Sequence, residues 1–227
     1  MIKYILSLFR KPKPKRLTNK EFYDKKGYVI IENAVPPVII DELRKRAIEL
    51  KNWVIDKEDT DAEYGPRKHW KGLGCAGMYD DYLKKFYQSR IMYNHASYLL
   101  GKEDIWLFND QIVVKLPNED FGFELHYDNQ FSDTNKDGRI HTVNMGVVLD
   151  DFTIENGPIA IKDMETNEMV TPLPKSGDII AIHGMTPHQS SVNLSDKPRG
   201  FYPCVYSEKK LVTQKFYREP FTTKYEI

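Results

Sequence analysis

The stretch Trp106-Leu-Phe-Asn-Asp-Gln-Ile-Val-Val-Lys-Leu116 decides the fold class of this 227-residue chain. Its large apolar residues Trp106, Phe108, Ile112, Val114 and Leu116 fall on even positions, and a period of two is typical of a strand with one buried face. The pattern returns at 121–128, 140–149, 158–162, 178–183, 189–193 and 200–207. Many short strands without intervening helices predict an antiparallel sandwich or barrel.

The part of the chain before this stretch is predicted to be helical, so the expected fold class is mainly β with N-terminal helices. Thr18-Asn-Lys-Glu21 has the spacing of a capping box, and Gly27 is suited to end the helix that it begins. Tyr28 to Ile31 predicts a strand because it is aromatic and β-branched, and Pro36-Pro37 precedes a second helix.

A third helix is expected over about Asp80 to Leu100, where apolar residues recur at helical spacing and Gly101 follows. Residues 58–79 show no period and predict a long loop, a kind of segment that is often functional. We therefore expect a basic, flexible tail at 1–16 and one domain at 17–227, with a helical front at 17–101 and a β core at 102–210.

The charge of the chain is balanced overall but uneven along its length. The 33 Lys and Arg residues equal the 33 Asp and Glu residues in number, so the formal net charge is zero. This balance argues against sequence-independent nucleic-acid binding. Residues 1–16 nevertheless carry six basic residues and no acid, which leaves the rest acidic. The tail is either a solvated terminus or a segment that contacts an anionic membrane surface or a partner.

Cysteine use predicts a cytoplasmic location, and hydropathy predicts no membrane span. We also expect a monomer or homodimer. Cys75 and Cys204 fit neither a disulfide framework nor a C-x-x-C motif. The apolar stretch from Tyr4 to Phe9 is too short for a signal-peptide core, and no later run approaches the roughly 20 apolar residues of a spanning helix.

A candidate metal site begins at His126-Tyr127-Asp128, inside a predicted strand. Residues two apart on a strand point to the same face, so the imidazole of His126 and the carboxylate of Asp128 are expected side by side. The candidates for a third ligand are His141, His183 and His188. Two histidines and one carboxylate form the facial triad of non-haem Fe(II) oxygenases.

Arg199 is a further candidate residue of this site, and it needs an anion as its partner. It stands at the end of the run His188-Gln-Ser190-Ser-Val-Asn193-Leu-Ser195-Asp-Lys-Pro-Arg199, just before the strand from Phe201. A guanidinium held inside a barrel is costly unless an anion pairs with it, and its fork matches a carboxylate. A dicarboxylate with one end on iron and the other on Arg199 meets both requirements.

These motifs resemble the phytanoyl-CoA dioxygenase (PhyH-like) branch of the Fe(II)/2-oxoglutarate oxygenases over roughly residues 18–207. The resemblance is carried by His126-x-Asp128, Leu149-Asp-Asp151, Glu155-Asn-Gly-Pro158, Gly177-Asp178 and the run from His188 to Arg199. It implies a double-stranded β-helix (jelly-roll, cupin-like) core. It also implies iron held by His126, Asp128 and His188, and 2-oxoglutarate bound through Arg199 and Ser190. Gln111 and Asn144 are either further contacts to 2-oxoglutarate or ordinary barrel-lining polar residues.

The function implied is that of a dioxygenase that uses Fe(II), 2-oxoglutarate and O2. Such an enzyme hydroxylates a C–H bond of a small-molecule substrate and releases succinate and CO2. The alternative is a cupin-like protein that binds metal without redox chemistry, such as a small-molecule binding protein or an isomerase. Arg199 discriminates between them, because a protein that is not an oxygenase has no standing need for a buried arginine close to the metal.

Overall fold

The computed structural model describes residues 18–56, 72–211 and 223–224, so the predicted tail at 1–16 lies outside the described residues. The helices are α1 (Asn19–Lys26), α2 (Pro37–Asp56), α3 (Asp81–Tyr87) and α4 (Arg90–Leu100). The strands are β1 (Tyr28–Ile31), β2 (Gly72–Gly74), β3 (Trp106–Lys115), β4 (Phe123–His126), β5 (Thr142–Val148), β6 (Ile159–Lys162), β7 (Met169–Val170), β8 (Ile179–His183), β9 (His188–Ser190), β10 (Arg199–Ser207) and β11 (Thr223–Lys224). Among these residues, no helix is long and apolar enough to cross a membrane.

The start of the fold follows the predicted capping signals. The Thr18 side chain accepts a hydrogen bond from the Glu21 amide, and the Glu21 carboxylate accepts one from the Thr18 amide, which confirms the capping box. Gly27 ends α1 with a φ of 77°, a left-handed conformation that glycine adopts without steric cost. The strand predicted at residues 28–31 and the helix that begins at Pro37 are also confirmed.

One prediction for the front of the chain was wrong, and a second was wrong in the part that the structure describes. The single helix expected over residues 80–100 is divided into α3 and α4, because Ser89 has an extended backbone and its hydroxyl accepts from the Met92 amide as the cap of α4. Of the long loop predicted at residues 58–79, residues 58–71 lie outside the described residues, and the rest contains β2, which pairs with β3, and a short 3₁₀ helix at Ala76–Met78. A strand of Gly-Leu-Gly carries little β propensity of its own, so its pairing with β3 was not visible in the sequence.

The β region forms two antiparallel sheets, which confirms the double-stranded β-helix core. The larger sheet has the order β1-β8-β5-β10-β3-β11, with β2 also paired to β3. The smaller sheet has the order β4-β9-β6-β7. Strands that are far apart in sequence are therefore neighbours, and β10 lies between β5 and β3.

Both faces of the large sheet are covered, which the period of two alone did not indicate. Side chains such as Ile112 and Val114 of β3 join a core that includes residues of α1 to α4. Their neighbours on the opposite face, Gln111 and Val113, line a cavity between the two sheets. The same alternation in β10 sends Tyr202 toward the helices. The helices thus support one face of the sheet and leave the other free to form the site.

A buried carboxyl group links this sheet to the helical layer. Asp110 is fully buried, and its Oδ2 accepts hydrogen bonds from the Tyr202 hydroxyl at 2.7 Å and the Gly77 amide at 2.8 Å. Burial raises the pKa of Asp110 to about 6, so the folded chain favours the protonated acid. This preference stabilises the fold at pH values below 3.8, the ordinary pKa of the side chain. The contribution is lost as the pH rises through about 6.

Substituting Asp110→Asn is expected to remove this pH dependence while the side chain keeps its shape. Between about pH 4 and pH 7, the free energy of unfolding of the variant should rise relative to that of the wild type by up to about 3 kcal/mol. Urea unfolding across this pH range measures the difference. The exposed Asp137→Asn serves as the matched control, and parallel pH profiles for wild type and Asp110→Asn would show that the acid is not buried as described.

Candidate metal centre and anion pocket

The candidate metal site is formed where β4 ends and β9 begins. His126 and His188 are cross-strand partners in these two strands, and their ring centroids are 4.3 Å apart. The Oδ1 atom of Asp128 lies 3.9 Å from His126 Nε2 and 3.7 Å from His188 Nε2. Within the part of the chain that the structure describes, these residues form a group whose possible ligand atoms all lie within 4.8 Å of one another. This donor set fits a divalent metal ion with open coordination positions.

The prediction that His126 and Asp128 share one strand was wrong, because the strand ends before Asp128. The strand β4 ends at His126, and Asp128 begins a 3₁₀ helix at Asp128–Phe131. Tyr127 between them still has an extended backbone, with φ −126° and ψ 142°. The alternation of side chains therefore continues for one more residue, and both groups reach the same site.

Backbone carbonyl groups orient both histidines. His126 Nδ1 lies 2.7 Å from the Glu124 carbonyl oxygen, and His188 Nδ1 lies 3.0 Å from that of Thr186. A proton on each Nδ1 satisfies these carbonyl groups and leaves the Nε2 lone pair free to bind a metal. Burial lowers the pKa of His126, which favours the neutral, ligating form.

Asn144 of β5 orients Asp128, the carboxylate of the group, through a hydrogen bond. Its Nδ2 donates to Asp128 Oδ2 at 2.9 Å, so the carboxylate turns its other oxygen, Oδ1, toward the two histidines. The Asn144 Oδ1 atom has no hydrogen-bond partner among the described residues. Asn144 thus lies at the candidate site in direct contact with an expected metal ligand, and its contact to 2-oxoglutarate stays a prediction.

The other two candidate ligands lie elsewhere. His141 and His183 pack against each other with ring centroids 4.8 Å apart, and His141 Nε2 lies 3.2 Å from the Tyr23 hydroxyl. Burial lowers the pKa of His183 to about 4. These two histidines contact α1 rather than the cavity between the sheets.

A small inner cavity of about 60 Å³ lies directly beside the metal group. The residues named from the sequence come together here, because Gln111, Asn144, Ser190 and Arg199 all line this cavity with His126, Asp128 and His188. Val113, Ile159 and Phe201 complete its wall with apolar side chains. The cavity therefore combines a metal-ligand set with polar groups suited to a small acid. We call the part lined by Ser190 and Arg199 the anion pocket.

Arg199 is a fully buried guanidinium without a complete set of partners. Its Nη2 donates to the Gly157 carbonyl at 2.5 Å, its Nε lies 3.5 Å from the Asn156 carbonyl oxygen, and its Cζ lies 4.7 Å from the Phe152 ring centroid. The Nη1 atom has no partner among the described residues. Burial lowers the pKa of Arg199 to about 9, so the group remains charged at neutral pH. An unpaired buried donor on a cation fits a carboxylate ligand.

Lys115 is a second buried basic residue, and the sequence analysis missed it. It is fully buried as the cross-strand partner of Arg199, and its Nζ donates to Ser190 Oγ at 2.7 Å and to the Ser191 carbonyl. Burial and, to a smaller extent, the charge of Arg199 lower the pKa of Lys115 to about 6. Its odd position among the even-numbered apolar residues of β3 was the available signal, since that face lines the cavity.

Two turns hold these groups in place. The Asn193 side chain donates to the Lys115 carbonyl at 2.9 Å and to the Lys197 carbonyl at 2.8 Å, and it accepts from Ser195, which shapes the segment that leads into Arg199. Gly157 has a φ of 73°, and a Cβ atom there would lie 2.5 Å from the Ser191 carbonyl oxygen. Only glycine fits this close approach, which presents the Gly157 carbonyl to Arg199.

Sequence comparison assigns the family. Residues 23–161 match the family model described as Phytanoyl-CoA dioxygenase (PhyH). The chain belongs to the PhyH family. This confirms the resemblance seen in the motifs, although the match ends ahead of His188 and Arg199, which enter the site through the geometry of β9 and β10. A search of curated proteins finds no match.

Solved structures of similar fold include several enzymes of this chemistry. The apo form of EctD from S. alaskensis has a TM-score of 0.72 and 18% sequence identity, with 92% of this PhyH-family chain and 82% of that chain covered. The non-heme alpha ketoglutarate dependent epimerase SnoN from nogalamycin biosynthesis has a TM-score of 0.70 and 18% identity, with 86% and 83% covered. The carbocyclase SnoK from the same biosynthesis has a TM-score of 0.70 and 18% identity, with 89% of each chain covered. The fold is thus shared with enzymes that are named for different reactions.

Binding of 2-oxoglutarate to this PhyH-family protein is expected to take up a proton through Lys115. The pKa of about 6 in the free cavity leaves the amine mostly neutral at about pH 7.5, and an adjacent carboxylate raises that pKa. Calorimetric titrations in two buffers of different ionisation enthalpy should show uptake of about one proton per 2-oxoglutarate bound.

The matched variants are Lys115→Gln and Lys175→Gln. Lys115→Gln should bind 2-oxoglutarate without proton uptake, whereas the exposed Lys175→Gln should behave as the wild type. Equal proton uptake by wild type and Lys115→Gln, or none by either, would contradict the coupling of Lys115 protonation to 2-oxoglutarate binding.

Proposed function

We propose that this protein is an Fe(II)- and 2-oxoglutarate-dependent dioxygenase that hydroxylates a C–H bond of a small molecule, with release of succinate and CO2. The observation that carries the proposal is the joint placement, in one small cavity, of the His126, Asp128 and His188 group and the unpaired Nη1 of buried Arg199. A metal-binding protein without redox chemistry has no standing use for this guanidinium.

The metal end of the cavity is assigned to three side chains of the chain. His126 and His188 present their Nε2 atoms, and Asp128 presents Oδ1 while Asn144 holds Oδ2. When bound, Fe(II) and 2-oxoglutarate supply the oxidising chemistry, in which O2 is reduced and 2-oxoglutarate loses CO2 to give succinate. The protein fixes the ligand geometry and keeps the substrate beside the metal.

The other end of the cavity is assigned to the distal carboxylate of 2-oxoglutarate. Arg199 Nη1 is available as a donor, and Ser190 accepts from Lys115, so the hydroxyl hydrogen of Ser190 is free to donate to the same carboxylate. Val113, Ile159 and Phe201 surround the space between the two ends and exclude water from it. Low local polarity strengthens the attraction between the guanidinium and its anion.

Asp128 favours hydroxylation over halogenation. Halogenases of this chemistry lack a carboxylate at the corresponding position and bind halide there, whereas here the carboxylate is present and held by Asn144. The structurally similar epimerase and carbocyclase are named for reactions other than hydroxylation. Incorporation of an oxygen atom into the product is therefore the property to test.

The test is a panel of small molecules incubated with the protein, Fe(II), 2-oxoglutarate and ¹⁸O2, with succinate measured by mass spectrometry. A true substrate is expected to stimulate succinate release and to gain one labelled oxygen atom. The Asp128→Ala variant should lose the stimulated release because one ligand is missing, while His95→Ala, on α4, keeps it. Stimulated release by Asp128→Ala would overturn the metal assignment, and an unlabelled, isomerised product would overturn hydroxylation.

A further inference from the structure

A second, larger cavity opens directly from the inner one. It has a volume of about 350 Å³ and shares Gln111, His126, Asp128 and Asn144 with the inner cavity. Under the proposed function, the inner cavity holds 2-oxoglutarate, so a substrate must approach the metal through this outer cavity. Its lining then determines which chemical groups can be placed beside Asp128.

Side-chain amides dominate the polar part of this lining. Five carboxamides border the outer cavity: Asn109, Gln111, Asn129, Gln130 and Asn144. Aromatic and aliphatic side chains, among them Phe108, Phe131 and Val205, form the remaining wall. No lysine or arginine lines the outer cavity among the residues that the structure describes. A lining of amides and apolar groups is suited to an uncharged ligand with hydrogen-bonding groups.

Two of these amides have a buried polar atom without a partner. Asn144 Oδ1 is an unpaired acceptor, because the amide's Nδ2 donates to Asp128. Asn129 Nδ2 is an unpaired donor, because the amide's Oδ1 accepts from the Thr142 hydroxyl at 2.6 Å. Asn129 is 2% exposed and Asn144 8% exposed, so water reaches neither freely. Buried polar atoms are normally paired, and a ligand that both donates and accepts would satisfy the two.

The charges of the loaded site also disfavour an anionic group. Fe(II) and Arg199 together balance the charges of Asp128 and the two carboxylates of 2-oxoglutarate, and the Lys115 amine, protonated when 2-oxoglutarate binds, lines neither cavity. Glu124 is the remaining charged side chain that borders the outer cavity in the described part of the chain. A phosphate or carboxylate on the substrate would be repelled there without a compensating cation.

We infer that the substrate of this protein places an uncharged, carboxamide-like head group, one that both donates and accepts hydrogen bonds, beside the metal on an apolar body. A phosphate- or carboxylate-bearing group is excluded from the same position. This inference rests on the proposed function, since it concerns the cavity that 2-oxoglutarate leaves free. It identifies the class of substrate rather than the compound.

Three flat molecules of nearly equal shape test this inference: benzamide, benzoate and benzamidine. They are titrated by calorimetry into the protein loaded with Fe(II) and 2-oxoglutarate without oxygen. Benzamide should bind at least about tenfold more tightly than benzoate, which has no hydrogen to donate to Asn144 Oδ1. Benzamidine should also bind more weakly than benzamide, because it cannot accept from Asn129 Nδ2 and, as a cation, is repelled by the nearby Fe(II).

Two matched variants separate charge from general effects. Leu125 borders the outer cavity and is 56% exposed, so Leu125→Lys adds a cation at its rim and should reduce the preference for benzamide over benzoate several-fold. Leu194 is 69% exposed and lines neither cavity, so Leu194→Lys should leave the preference unchanged.

The outcomes distinguish this inference from the proposed function. Failure of the protein to bind 2-oxoglutarate in the loading step would overturn the proposed function itself. If 2-oxoglutarate binds but benzoate matches or exceeds benzamide, or benzamide does not bind, the inference about the substrate is wrong while the cofactor assignment stands. A preference for benzamide that Leu125→Lys reduces and Leu194→Lys does not supports the inference.

Discussion

The buried guanidinium of Arg199 is the constraint on which the rest of the site depends. A fully buried cation with an unpaired donor is unfavourable, and here Lys115 lies on the adjacent strand as a second buried amine. Their described partners are carbonyl groups, a serine hydroxyl and aromatic rings, which do not neutralise the charge of Arg199. The chain thus gives up stability in the free state, and an anion that enters the cavity recovers it. This exchange couples folding energy to cosubstrate binding.

A three-residue strand connects this anion pocket to the metal group. In β9, His188 and Ser190 lie two residues apart on the same face, a separation of about 7 Å. His188 contributes to the metal group and Ser190 lines the same cavity, so the two groups proposed for the two ends of 2-oxoglutarate are fixed on one strand. Because β9 is paired with both β4 and β6, this spacing is rigid. Under the proposed function, this rigid spacing would let 2-oxoglutarate contact the metal group and Arg199 at the same time.

The sequence predicted the strands, the fold class and the side chains that meet in the cavity, because each depends on a local period or a motif. It placed Asp128 correctly beside His126 although β4 had ended, since the extended Tyr127 preserves the alternation. It did not predict a role for Lys115, because in the sequence this residue resembles an ordinary polar residue of a half-buried strand. Only the pairing of the strands shows that Arg199 is its cross-strand partner. It also missed the division at Ser89 and the strand Gly72–Gly74, where caps and tertiary pairing override the apolar pattern.

The most direct test of this account is an anaerobic titration of the Fe(II)-loaded protein with 2-oxoglutarate, followed by the weak visible charge-transfer band that chelation produces. The wild type should develop a saturable band. Arg199→Met should need about 100-fold more 2-oxoglutarate, since it removes a buried ionic partner, yet its cosubstrate-free form should unfold at a higher temperature than the wild type. The matched variant Arg139→Met, at a side chain that is 86% exposed, should change neither property. No band in the wild type, or an unchanged affinity in Arg199→Met, would contradict the account.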